Sequence, residues 1–219
     1  MRYLFLILII VSVLTTGCYS HLTNTAKSFT HCYQEKDTGI DSLLDNYGFF
    51  RSMFIFKSYK GYQAIEYQDT GYINIVFFND GFFLYNFDIR YFNETKNKRN
   101  GFYNKGGAEW GLYIIDNDTI KAQTIETPGM SWLKTEWWFK IIDKNTIEYL
   151  YSKTNAPITI EDIFNKQKKE DLTQIVFPYQ FVSNRDLPDS DKSWIKKKKW
   201  FWCNKERYRD WKKKTSMSH

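Results

Sequence analysis

Between residues 49 and 152 the chain alternates short aromatic runs with turn-forming residues. That rhythm restricts the fold more than any other feature. FFRSMFIFKS (49–58) meets YQAIEYQ (62–68) across Tyr59, Lys60 and Gly61, and Asp69-Thr70-Gly71 leads into YINIVFF (72–78). Asn79-Asp80-Gly81 supplies residues that tolerate the positive φ of a tight hairpin, and FFLYNFDIRYF (82–92) returns. After a polar stretch from Asn93 to Gly107, WGLYIID (110–116) and TIKAQTIE (119–126) flank Asn117 and Asp118. WLKTEWWFKII (132–142) and TIEYLYS (146–152) flank Asp143, Lys144 and Asn145. The spacing predicts an all-β chain, an up-and-down antiparallel meander of about eight strands. Closing that meander into a barrel removes its two edges.

The strand faces support closure. In 82–92, Phe83, Tyr85, Phe87, Ile89 and Tyr91 share one side, and Asn86, Asp88 and Arg90 the other. In 132–142, Leu133, Thr135, Trp137, Phe139 and Ile141 oppose a mixed face of Trp132, Lys134, Glu136, Trp138 and Lys140. One apolar and one mixed face suit a barrel wall. An eight-stranded barrel is filled by side chains or holds one small ligand. Phe83, Tyr85, Phe87, Trp137 and Phe139 are the candidate lining of such a site, and they equally suit a plain core. Asp37 and Thr38 cap a short helical turn through Ile40, Leu43 and Leu44. Thr159 to Asp162 opens a helix with Ile160, Ile163 and Phe164 on one face. LTQIVFPYQFV (172–182) reads as a ninth strand, placed at an edge by Pro178.

Eight strands, a helix and one more strand resemble the lipocalin architecture over about residues 40–183. Gly48-Phe49-Phe50 is similar to the Gly-x-Trp with which true lipocalins begin their first strand, with Phe50 where Trp would stand. The resemblance extends to small lipocalin-like lipoproteins of Bacteroidetes-type bacteria, and it implies a small apolar ligand in the barrel.

The N-terminus gives an address. Arg2 precedes an apolar stretch, Tyr3 to Leu14. That is short of the roughly 20 residues a spanning helix needs and fits the core of a secretory signal. Thr15-Thr16-Gly17-Cys18 follows, and it resembles the lipobox of bacterial lipoproteins, although Leu14 stands four residues before the cysteine where that family places Leu three before. The resemblance implies cleavage after residue 17, diacylation of the Cys18 thiol with palmitate-like chains, and attachment to a membrane. Tyr19 stands where Asp retains some lipoproteins at the inner membrane, so the expected location is the outer membrane, facing the periplasm. The expected organisation is a signal peptide (1–17), a tether (18–39), a barrel (40–183) and a C-terminal segment (184–219).

That last segment reads WIKKKKWFWCNKERYRDWKKK from Trp194 to Lys214. Residues 191–214 carry eleven Lys or Arg against three acidic residues, while the chain as a whole is only +6. The basic character therefore belongs to one tail and describes partners rather than folding. Export removes nucleic acid as a partner and leaves an anionic membrane surface, met through residues 192–214 with Trp at the interface. Packing of the tail's aromatics on the barrel, with its lysines in solvent, is the default arrangement. A helix would align Trp194, Phe201, Tyr208 and Trp211, a strand would align Trp200 and Trp202, and Asn204 suits the cap of a final helix. With Cys18 lipidated, Cys32 and Cys203 remain, in an oxidising compartment. They form either one disulfide or two unpaired buried thiols.

Catalytic patterns are sparse. The histidines are His21, His31 and His219, outside residues 32–218, which leaves the expected domain without an imidazole for general-base work or zinc. No phosphate-binding or nucleophile-elbow pattern occurs. Glu66, Asp88, Glu109, Glu126 and Glu136 are carboxylates that remain, and a facing pair of them could run glycoside chemistry; Glu126 and Glu136, on predicted strands among Lys and Thr, read as solvent-facing strand residues. Asp41-Ser42-Leu43 and Asp118-Thr119-Ile120 look like O-glycosylation sites of some Bacteroidetes proteins. The expectation is a non-enzymatic envelope lipoprotein without metal or cofactor. It binds a small apolar or amphiphilic ligand, or it is an interaction protein with a filled barrel and the tail as its contact surface.

Overall fold

A computed structural model describes residues 28–60, 65–87, 108–125, 133–154, 173–187 and 189–217. Its strands are β1 (Gly48–Lys60), β2 (Ile65–Phe77), β3 (Phe82–Tyr85), β4 (Glu109–Asp116), β5 (Thr119–Ile125), β6 (Lys134–Asp143), β7 (Thr146–Thr154), β8 (Thr173–Val176) and β9 (Tyr179–Ser183). One α-helix, α1 (Lys205–Met217), ends the described chain. β1 to β7 pair in sequence order, β7 pairs β9, and β9 pairs β1, all antiparallel. The result is a closed eight-stranded barrel, with β8 added alongside the outer half of β1 at Phe54 to Lys57.

The closure differs from the expected strand list in two places. The segments 62–68 and 72–78 are one continuous strand, because Asp69, Thr70 and Gly71 pair with Phe56, Ile55 and Phe54 rather than turning. Gly71 serves a packing purpose there. A Cβ on it would lie 2.2 Å from Cζ of Phe54, whose ring covers the glycine. The second difference is at Pro178. The expected ninth strand splits there, and its second half, β9, is the stave that seals the barrel rather than an edge. Gly48 sits at that seam, where a Cβ would meet the Val182 carbonyl oxygen at 2.2 Å. The expected helix from Thr159 and the strand portion beyond Phe87 lie outside the described residues.

Two apolar clusters share one wall. The inner cluster lies inside the barrel and holds Phe50, Ile75, Phe77, Phe83, Tyr113, Ile120, Phe139, Ile147 and Tyr179, and Ile40 of the short helical turn and Leu44 beside that turn join it. The Leu44 amide donates to the Ile40 carbonyl, and Asp37 accepts from the Gly39 amide at 2.8 Å. The outer cluster holds Phe49, Val76, Phe82, Leu84, Trp110, Leu112 and Ile125, together with Tyr33 and the tail residues Trp194, Ile195, Phe201 and Trp202. All four residues of β3 are therefore buried, since both of its faces are covered. Because no described segment covers its outer face, β7 instead has Glu148, Leu150, Tyr151 and Lys153 exposed, its alternation shifted by one at Leu150 where the β6 register slips. The continuous FFLY run and the alternating TIEYLYSKT register the same distinction in sequence.

Residues 28–39 are not a free tether. Tyr33 makes a parallel bridge with Trp202, its amide donating to the Phe201 carbonyl at 2.8 Å while the Cys203 amide donates back to Tyr33 at 3.0 Å. Phe29 packs against Trp200 and Phe201. Upstream, the wall is polar and holds the segment by its backbone. Gln123 accepts from the amides of Thr30 and His31, and Lys134 Nζ donates to the Ser28 carbonyl at 2.8 Å.

Candidate functional site

The five residues expected to line a ligand site part into two groups. Phe83, Tyr85, Trp137 and Phe139 belong to the inner cluster. Phe87 does not. Asn86 takes a left-handed φ of 55°, which breaks the strand alternation, and Phe87 turns to the outer cluster against Phe49. The four inner residues already have partners. Tyr85 stacks on Trp137 with ring centroids 3.9 Å apart. Phe83 packs on Phe77 and Phe139, and Phe139 meets Tyr149 and Tyr179 edge to face. Burial pushes the phenols of Tyr85 and Tyr179 well above the usual range, as an apolar interior requires. A molecule entering this space would have to displace rings that already contact one another.

The outer wall carries the arrangement with chemical reach. Cys32 and Cys203 are joined by a disulfide, their Cα atoms 5.0 Å apart. It fastens the N-terminal strap to the tail just where the tail leaves the wall. Before it, Ile195, Phe201 and Trp202 are fully buried. After it, Asn204 caps α1 by accepting from the amides of Glu206 and Arg207. The helix touches the protein through Tyr208 and Trp211, which pack on Trp202. Neither the continuous helix nor the strand expected for residues 194–211 forms. Three short 3₁₀ turns carry the chain from Ser190 to Phe201. They turn the aromatics inward and leave Lys197, Lys199, Arg209 and Lys212 to Lys214 exposed.

Lys196 is the exception. It is 2% exposed, lies 4.7 Å above the Tyr33 ring and 5.4 Å from that of Phe82, donates to the Tyr33 hydroxyl at 3.1 Å, and forms an ion pair with Asp191. Nearby Asp80 accepts from Ser190 Oγ at 2.9 Å, and burial raises its carboxyl above the usual range. This polar knot borders a groove of about 270 Å³ between residues 31–38, Asp80-Gly81 and β4. That is just below the usual small-molecule range of about 300–1,000 Å³.

His31 belongs to the folded domain, contrary to the expectation that it lies in a tether. It packs beside Glu136, Lys134 and Lys121, and burial holds its imidazole below the usual 6.5. Glu136 is a docking residue rather than a solvent-facing one, accepting from Lys134 Nζ at 2.8 Å and Gln123 Nε2 at 3.1 Å. Burial raises its carboxyl, but the Lys134 ammonium outweighs that and holds it below the usual range. Glu109 accepts from Thr124 Oγ1 at 2.6 Å. Glu126 and Asp88 lie outside the described residues, as does the side chain of Glu66. Among the described residues no group of three or more His, Cys, Asp or Glu could hold a metal, and no helix is long and apolar enough to cross a membrane. Comparison with protein-family models, curated proteins and solved structures returned no match.

Sequence reasoning missed Tyr33, Lys196, Gln123 and Asp80. Their roles depend on segments more than 90 residues apart meeting on the wall, as in the contact of Gln123 with Thr30. The one available signal was the pair Cys32 and Cys203.

Proposed function

We propose that the chain is a lipid-anchored, non-enzymatic envelope interaction protein. Its barrel is a filled mount, and its contact surface is the basic tail. The carrying observation is the sidedness of residues 194–214. Their aromatic rings continue the outer core, while the cations outside that core face solvent on a segment latched by Cys32–Cys203. A disordered basic tail would lose conformational entropy on binding. A latched tail has already given it up, so its cations form a preorganised surface.

Acylation of Cys18 follows from the signal-like residues 1–17 and gives the attachment, since two or more chains make anchoring stable. Between the two sequence expectations, the filled-barrel reading gains from the ring contacts among Phe77, Phe83, Phe139 and Tyr179. Native mass spectrometry of protein extracted from its own envelope tests the reading. The expected species begins at Cys18, carries acyl chains and bears no stoichiometric small molecule. A chain that retains residues 1–17, or a tightly held apolar adduct, contradicts it.

A further inference from the structure

We infer that the partner of the tail is an anionic phospholipid surface, and that one side of α1 and its approach sets the orientation of the barrel on that surface. The inference rests on the proposed lipid anchoring and names what the contact surface meets. Two observations carry it, the position of Ser28, ten residues from the proposed anchor, and the charge beside it.

The described chain begins at Ser28, whose carbonyl is held by Lys134, and Phe29 packs against Trp200 and Phe201. Ten residues separate Cys18 from Ser28. Fully extended, they reach about 35 Å. A domain of this size is about 40 Å across. A lipid at Cys18 therefore keeps the Phe29 side of the molecule towards the bilayer, and the far wall is beyond reach unless the tether wraps the barrel.

The cations lie on that same side. Lys199 precedes Trp200, and Lys205 Nζ reaches back to the Lys199 carbonyl at 3.0 Å. Arg209 and Lys212 follow Lys205 at helical spacing i+4 and i+7, on the flank of α1 next to the inward pair Tyr208 and Trp211. The acidic residues of the helix, Glu206 and Asp210, fall on its outward crest. The stripe Lys205, Arg209 and Lys212 begins beside the Trp200–Phe29 contact, Arg207 and Lys214 carry charge on the opposite flank, and α1 as a whole offers six cations against two acidic residues to an anionic headgroup layer. The tether supplies proximity and the stripe selects which face lands.

The full mature chain with Cys18→Ser tests this without the lipid, in co-sedimentation with phosphatidylglycerol-containing vesicles and with pure phosphatidylcholine vesicles, at low and high salt. Binding is expected only to the anionic vesicles and only at low salt. Each cation at such a surface contributes about fivefold, so R209Q/K212Q should weaken binding by about 25-fold. K140Q/K144Q, a pair exposed at the β6–β7 turn end, away from the Lys134–Ser28 contact, should change it less than about twofold. All four positions are exposed, and near-ultraviolet circular dichroism verifies folding. Equal losses from both pairs, equal binding to neutral vesicles, or no binding at low salt would overturn the inference. Such a failure, with an acylated and adduct-free protein in the mass spectrum, leaves the proposed function standing and only its lipid partner lost.

Discussion

At the scale of single residues, the strap and tail bury a few polar groups on the wall, Lys196 and His31 among them. Lys196 has its charge met by the Tyr33 and Phe82 rings and by Asp191, whose own side chain remains 65% exposed. Removing the ammonium therefore leaves Asp191 solvated rather than stranded, and the loss is of packing and cation–π attraction. Lys196→Ala should cost about 3 kcal/mol and Lys196→Met about 1 kcal/mol, because Met keeps the stem in contact with the rings. Urea denaturation of the two variants checks the order, and equal costs would contradict it. His31 makes a pH prediction. Burial lowers its folded-state pKa, so the unfolded chain takes up a proton first as pH falls. Stability should decline on acidification from about pH 6.5 until the folded imidazole also protonates, and His31→Gln should flatten that slope between pH values either side of it. An unchanged slope would place the imidazole in solvent. Phe87 shows the limit of reading faces by alternation. A single left-handed residue, Asn86, moved it from the barrel interior to the outer core.

At the scale of elements, the strap and tail act as one piece because a covalent link closes a loop between positions 171 apart. On chain-entropy grounds that link contributes about 5 kcal/mol by restricting the unfolded chain. Cys32→Ser, Cys203→Ser and the double variant should each lose about that much in thermal or denaturant unfolding, with the double no worse than either single. A loss below about 1 kcal/mol would mean that the buried rings of Tyr33, Phe201 and Trp202 hold the strap unaided. The hairpins β4–β5 and β6–β7 were legible in sequence because Asn117-Asp118 and Asp143-Lys144-Asn145 are local turn chemistry, and Asn117 takes the left-handed φ of 56° that such a turn uses. Asp69-Thr70-Gly71 has the same local chemistry and does not turn, because pairing with β1 and the Phe54 ring over Gly71 override it. Pro178 was read as an edge signal. It marks a short break along one side of β1, between β8, an edge strand that pairs with β1 alone among the described strands, and β9, which pairs with both β1 and β7 and closes the barrel.

At the scale of the whole molecule, the barrel has one wall covered on both faces and one covered only within. The inner core explains why so aromatic a sequence stays folded, and the outer core explains where the tail's aromatics go. Closure itself was legible, since closing a meander of this length into a barrel abolishes its edges altogether. The strap's place on the wall was not, because nothing between residues 19 and 36 has a periodic pattern and its partners lie at the other end of the chain. The same long separation hid the candidate surface, whose cations were plain in the sequence but whose single orientation comes from the latch. The central claim is that the interior is occupied by the protein's own rings. Calorimetric titration with a long-chain alkyl probe tests it most directly, comparing the native chain with Phe83→Ala, which removes a fully buried ring beside Phe77 and Phe139. No saturable binding to the native chain and new one-to-one binding to Phe83→Ala are expected, whereas saturable one-to-one binding to the native chain would contradict an occupied interior.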